Sequence, residues 1–202
     1  MHTTSREAMI AAAERLVAER GMRALTFNAV QQAAGQSNKS AVVYHFGSRE
    51  GLIEAVIEAR MGPVDRSRQE LLDELGKAAD PLTVRRVVRV HVEPLADSTL
   101  GRPGSYYARF LAQAVIDPAL GDLVGKHLTE SFRRVRQLLT DLSSAGDDAA
   151  AFRADSVVLF TLITLAVHEG RERTSAESHA IATELIDMLV AMLAAPTRSI
   201  DQ

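Results

Sequence analysis

Apolar residues recur along this chain at three- and four-residue intervals almost from end to end, and the strict alternation that marks a strand is absent. Met9, Ile10, Ala13, Leu16 and Val17 share one face of a helix predicted from about Ser5 to Glu19, capped by Thr4 or Ser5 and closed by Gly21. Thr26 caps a short second helix whose Ala29, Val30 and Ala33 point inward, and Gly35 ends it. A third helix starts near Ser37 or Asn38 and stops around Tyr44 to Phe46. Ser48 opens a fourth, with Leu52, Ile53, Val56 and Ile57 as its apolar stripe. Gly62-Pro63 then reads as a boundary or a kink. Longer helices follow at about 64–78, 81–96, 104–116, 119–143, 148–170 and 176–194, with short loops that imply antiparallel neighbours. The expected fold is all-α. A helix-turn-helix unit of three helices over residues 1–61 precedes a larger helical bundle over 62–202, nine to ten helices in total.

With 202 residues, 47% of them hydrophobic, the chain can bury a substantial core. It has no cysteine, which removes disulfides, thiolate zinc sites and a thiol nucleophile and suits the cytoplasm. There is no uninterrupted apolar run of about eighteen residues, so no membrane span is expected. Met1 to Glu7 lack the apolar stretch of a secretory signal. The net charge of −3 makes no general case for nucleic acid. Residues 1–60 carry 7 basic against 6 acidic side chains, and residues 61–202 carry 16 against 20, a slight asymmetry only.

The segment 26–46, TFNAVQQAAGQSNKSAVVYHF, holds two short helices around a turn at Gly35, a helix-turn-helix pattern. The major groove admits one helix, and short polar side chains there can meet base edges. Asn38, Lys39 and Ser40 are the candidates for this, with Gln36 and Ser37 at the turn. Asparagine pairs with adenine and lysine with guanine. Tyr44 and His45 would reach phosphates or flanking bases from the far end of the same helix. A helix–glycine–helix turn also serves packing alone in many helical proteins, and Phe46 reads as a core plug.

Gly21, Thr26, Ala33-Ala34, Gly35, Ser37, Tyr44-His45-Phe46, Ser48-Arg49-Glu50 and Leu52 together resemble the N-terminal signature of the TetR family of transcriptional regulators, over about residues 5–60. The resemblance implies a homodimer that binds a palindromic operator in double-stranded DNA. It places Thr26, Gln36, Ser37, Asn38, Lys39, Ser40, Val43, Tyr44, His45 and Arg49 at the DNA. Two departures stand out. The segment from Gly35 to Phe46 is one residue longer than the family's usual pattern, so that Val43 falls where its tyrosine sits. Arg49 replaces the common lysine, keeping the charge.

By the same resemblance the helices beyond residue 61 sense a small-molecule effector and dimerise. The last two are apolar around most of their circumference, through Val157 to Val167 and Ile181 to Leu193. Such helices are buried on more than one side, inside a monomer or against a second copy. Tyr106, Tyr107, Phe110 and Gln113, with His91 and His168, are the candidate effector contacts; as core groups or surface tips they would need no ligand. Arg85, Arg86 and Arg89, and Arg133, Arg134 and Arg136, read as anion patches or solvated faces.

No catalytic site, metal site or cofactor is expected. The chain has no phosphate-binding glycine loop, HExxH or GxSxG, and its histidines and serines show no spacing that assembles a triad. The leading expectation is a repressor released from its operator by the effector, with activation left open. The competing one is a helical adaptor whose helix-turn-helix only packs.

Overall fold

The structure of the protein, a computed structural model, describes residues 4–38 and 40–196. These form ten α-helices and no strand: α1 (Ser5–Arg20), α2 (Phe27–Ala33), α3 (Ala41–Phe46), α4 (Arg49–Lys77), α5 (Val84–Thr99), α6 (Tyr107–Ile116), α7 (Gly121–Lys126), α8 (Glu130–Asp141), α9 (Asp147–His168) and α10 (Ser175–Ala194). The expected all-α architecture holds.

Hydroxyl caps start most of them. Thr4 accepts from the Glu7 amide while the Glu7 carboxylate accepts from the Thr4 amide, and Thr174 and Glu177 repeat this box on α10. Thr26, Ser48, Thr83 and Thr129 cap α2, α4, α5 and α8 in the simpler way. At Gly35 the backbone takes φ +65 between α2 and α3, a conformation that suits glycine.

Three expected boundaries give way. Gly62-Pro63 does not end a helix: α4 runs 29 residues through it. Proline removes one intrahelical donor, leaving the Ala59 carbonyl without its usual partner. Ala59 and Pro63 line an open cleft of about 370 Å³, where water can satisfy that carbonyl. The stretch expected as one helix over 119–143 is two, α7 and α8, because Thr129 starts a capped helix of its own. And α3 begins at Ala41, since Asn38 is spent on the turn that precedes it.

Two apolar cores form. The first gathers Met9, Ile10, Ala13, Leu16 and Val17 of α1 with Val30, Val42, Phe46, Leu52, Ile53, Val56 and Ile57. It is completed from farther along the chain by Phe110 and Ala114 of α6 and by Leu120 and Leu123. The second fills the bundle of α4, α5, α6, α8, α9 and α10. Helix α9, although it has no uninterrupted apolar run of that length, is long and apolar enough to cross a membrane by length and composition. Its inner face, Ala154, Val157, Leu162 and Leu165, is buried in this second core. Its other face leaves Phe152, Leu159, Ile163 and Val167 exposed along one stripe, with Met188 of α10 also exposed.

Candidate nucleic-acid interface and the core behind it

Six residues of α3 divide cleanly. Ala41, Val42 and Phe46 face the first core, so Val43, Tyr44 and His45 must face out, and Tyr44 is 85% exposed. Ser37, Asn38 and Ser40 are exposed at the entry to the helix. The Asn38 side-chain oxygen accepts from the Ser40 amide at 2.9 Å, which fixes the turn and leaves its NH2 group and one oxygen lone pair for a base edge. Ser37, Asn38, Ser40, Val43, Tyr44 and His45 thus present a mixed polar and apolar edge in one stretch of chain. Lys39 lies outside the described residues.

The other expected DNA contacts have structural roles of their own. Thr26 is exposed, and its hydroxyl accepts from the Ala29 amide. Gln36 is half-buried: its side-chain oxygen accepts from the Ser5 hydroxyl at 2.6 Å, and its carbonyl accepts from the Gln31 side chain. Arg49, expected at a phosphate, turns inward. Its Nε donates to the Leu25 carbonyl at 3.1 Å and its Nη2 to the Met22 carbonyl at 2.8 Å. The Met22 carbonyl also accepts from the Leu25 amide that closes the short 3-10 turn Met22–Ala24, and the guanidinium braces this turn from α4.

Behind this edge, two polar links tie α1 to the rest, and a third holds the helix that makes one of them. Arg60 on α4 grips Glu14 through two hydrogen bonds of 2.5 and 2.8 Å. Burial pushes the Glu14 carboxyl up, against the pull of Arg60. Gln113 on α6 donates to the Val17 carbonyl at the end of α1, at 2.8 Å. The start of α6 is in turn held by Glu169, just past α9. This carboxylate accepts from the Ser105 hydroxyl at 2.7 Å and from the Ala108 and Arg109 amides at 2.9 and 3.0 Å. It satisfies free donors of a helix's first turn. Gly170 follows with φ +75, a conformation that suits glycine, and a Cβ there would also crowd the Ser105 carbonyl oxygen at 3.1 Å.

The six expected effector contacts do not meet in one pocket. Phe110 is fully buried in the first core and Gln113 serves the link to Val17. Tyr106 lies under the Arg109 guanidinium, 5.1 Å from its ring centroid. Tyr107 is buried, donates to Met61 Sδ at 3.4 Å and has its phenol pushed up by burial. His168 sits against Arg173, which donates to its carbonyl, and its imidazole is held low by partial burial and then by Arg173 and Arg171. His91 lies deep in the bundle, 3% exposed, with its pKa pushed down to about 3 by burial and by the nearby Arg68. Sequence reasoning passed over Arg68 and Glu169. A single charge on an amphipathic helix carries no mark of burial.

Residues 9–56 match the sequence family described as bacterial regulatory proteins, tetR family. No curated protein matches the chain in sequence. Among solved structures, the TetR-family transcriptional regulator PfmR from Thermus thermophilus is 16% identical with a TM-score of 0.58, over 94% of this chain and 99% of that one. A TetR-like transcriptional regulator from a Rhodococcus species is 17% identical with a TM-score of 0.56, over 97% and 99%. The transcriptional regulator FadR from Bacillus subtilis, solved in complex with stearoyl-CoA, is 15% identical with a TM-score of 0.57, over 92% and 97%. The fold defines a class, that of all-helical proteins in which a helix-turn-helix unit precedes a larger helical bundle. More narrowly, the fold is that of TetR-family transcriptional regulators, and residues 9–56 carry that family's N-terminal segment.

Proposed function

We propose that this chain is a TetR-family transcriptional regulator that binds a palindromic operator as a homodimer and is released from it by a small-molecule effector. The observation that carries the reading is the exposed edge of Ser37, Asn38, Ser40, Val43, Tyr44 and His45, where Tyr44 is 85% exposed and Val43 51% on a helix whose other face is fully used by the core. Large side chains so exposed beside asparagine and serine suit base edges, thymine methyl groups and phosphates.

Residues 1–61 act as the reading head and 62–202 as the sensing and dimerising part. The stripe Leu159, Ile163 and Val167 on α9, with Met188 on α10, supports two-fold packing of that pair against its copy. A two-fold dimer also delivers two reading heads to half-sites one DNA turn apart. Helix α6 supports the coupling: its start hangs from Glu169 beside α9, and its far side enters the first core through Phe110 and Ala114. An effector that favours one placement of α6 over another shifts DNA affinity by that difference and no more.

The test is selection of bound fragments from random duplex DNA, followed by affinity against salt for the wild type, Tyr44→Ala with Asn38→Ala, and Val167→Glu. A palindromic motif and a steep salt slope are expected. The double variant should weaken specific binding by about 1–3 kcal/mol per lost base contact. Val167→Glu should run as a monomer in sedimentation and lose the motif. A folded dimer that enriches no DNA, with or without cell extract, would leave the helical adaptor as the better reading.

A further inference from the structure

Two side chains inside the bundle carry nitrogen atoms that meet no partner among the described residues. Arg68 on α4 is 1% exposed, with Nε and Nη1 unpaired; His91 on α5 is 3% exposed, with both ring nitrogens unpaired. They flank the same ring. The Arg68 guanidinium lies 5.8 Å from the centroid of Phe132 on α8, and the His91 ring 6.2 Å from it. Asp65, one turn before Arg68, makes no ion pair or hydrogen bond with it, although its charge acts on the guanidinium from a distance; its carboxylate accepts from the buried Ser131 hydroxyl. Val64, Leu72, Val87, Val88, Val135 and Leu139 make up the same region of the core, all but fully buried.

A guanidinium with two donors unmet in such surroundings is costly to hold, and native cores seldom keep one without a use. Its planar fork matches a carboxylate in two parallel bonds. The imidazole, neutral here, brings one donor and one acceptor. The Arg68 charge, already drawn on by Asp65, can take at most one further negative charge. A phosphate dianion would leave an excess charge buried, while a monocarboxylate would not.

We propose that Arg68 and His91 form the polar floor of the effector site, and that its ligand is a monocarboxylic acid with an apolar body lying along Phe132. This rests on the ligand-responsive reading above and adds the ligand's class. Arg68 grips the carboxylate, His91 completes its hydrogen bonds, and the valines and leucines cover the rest.

Benzoate and octanoate are the probes, with benzamide and octanamide as uncharged controls, read by calorimetry and thermal melting of the full chain. Either acid should bind the wild type and raise its melting temperature, with its amide at least about 10-fold weaker. Arg68→Met should weaken the acid about 100-fold while raising the ligand-free melting temperature by about 2–4 °C, because an unpaired buried charge is gone. Should that variant fail to fold, Arg68→Lys keeps the charge and loses the fork, and about 10-fold weaker binding is expected. Failure of both acids to bind, equal binding of acid and amide, or unchanged affinity in the Arg68 variants would each overturn the proposal. Operator retention is measured on the same samples. DNA binding that persists while the acids fail removes only the carboxylate assignment; acids that bind a protein retaining no DNA remove the regulator reading instead.

Discussion

Replacing Glu169 with alanine should destabilise the protein by about 3–5 kcal/mol in urea unfolding. The side chain is fully buried, and three donors converge on it: the Ser105 hydroxyl and the Ala108 and Arg109 amides. Truncation strands those two amides in the interior and leaves the Arg109 guanidinium, 3.8 Å from the carboxylate, without its counter-charge. Glu169→Gln keeps an acceptor oxygen and should recover part of the loss. The effect reaches beyond stability, because α6 hangs from this carboxylate at one end and bonds to Val17 through Gln113 farther along. An alanine variant that unfolds within about 1 kcal/mol of the wild type would show that the cap does not hold α6.

Acid should weaken the protein through His91 well before carboxylates titrate. In the folded state this histidine's pKa is held at about 3, against 6.5 for the free side chain. Below pH 6.5 the unfolded chain takes up a proton that the native protein refuses. The stability is therefore fully present above that pH and is lost progressively as pH falls towards the folded value. At about pH 5 the loss is about 2 kcal/mol, at roughly 1.36 kcal/mol per pH unit. His91→Leu should be flatter by that amount between about pH 7.5 and 5, compared by urea unfolding. The other histidines, His168 included, are present in both proteins and cancel in the difference. Parallel pH curves for the two would mean that His91 is charged, or hydrogen-bonded, in the native state.

Much of the fold could be read from the residues because local signals agreed with one another. Thr4, Thr26 and Ser48 announce helix starts, since each is a side chain that a helix's first turn uses well. The apolar stripes at three- and four-residue spacing landed in the two cores. The failures have physical causes. Pro63 would break a helix packed on every side, but it lies on an open face of α4 beside a cleft, where water can replace the lost bond. The join of α7 to α8 carries Thr129, a cap that a continuous apolar pattern concealed. The exposed edge of α3 was legible because a short helix with a core face has few positions left. Arg49 was not, since nothing in the chain order says that its guanidinium folds back on Met22 and Leu25. Arg68 and Glu169 share that difficulty: partners 60 or more residues away, as for Glu169 with Ser105 and Arg109, leave no local trace.

Because Phe110, Ala114, Leu120 and Leu123 complete the first core, the N-terminal helix-turn-helix unit is not a detachable module. A graft that exchanged only residues 1–61 between related chains would join one protein's α1 to another's α6, and mismatched side chains would meet in the middle of that core. On the proposed function, operator preference is better transplanted by changing the surface of α3 alone, or by carrying α6 and α7 along with the graft. A fragment ending at Lys77 should accordingly melt without the sharp, cooperative transition of the full chain in calorimetry. A sharp transition from that fragment would mean that the first four helices can be recombined freely after all.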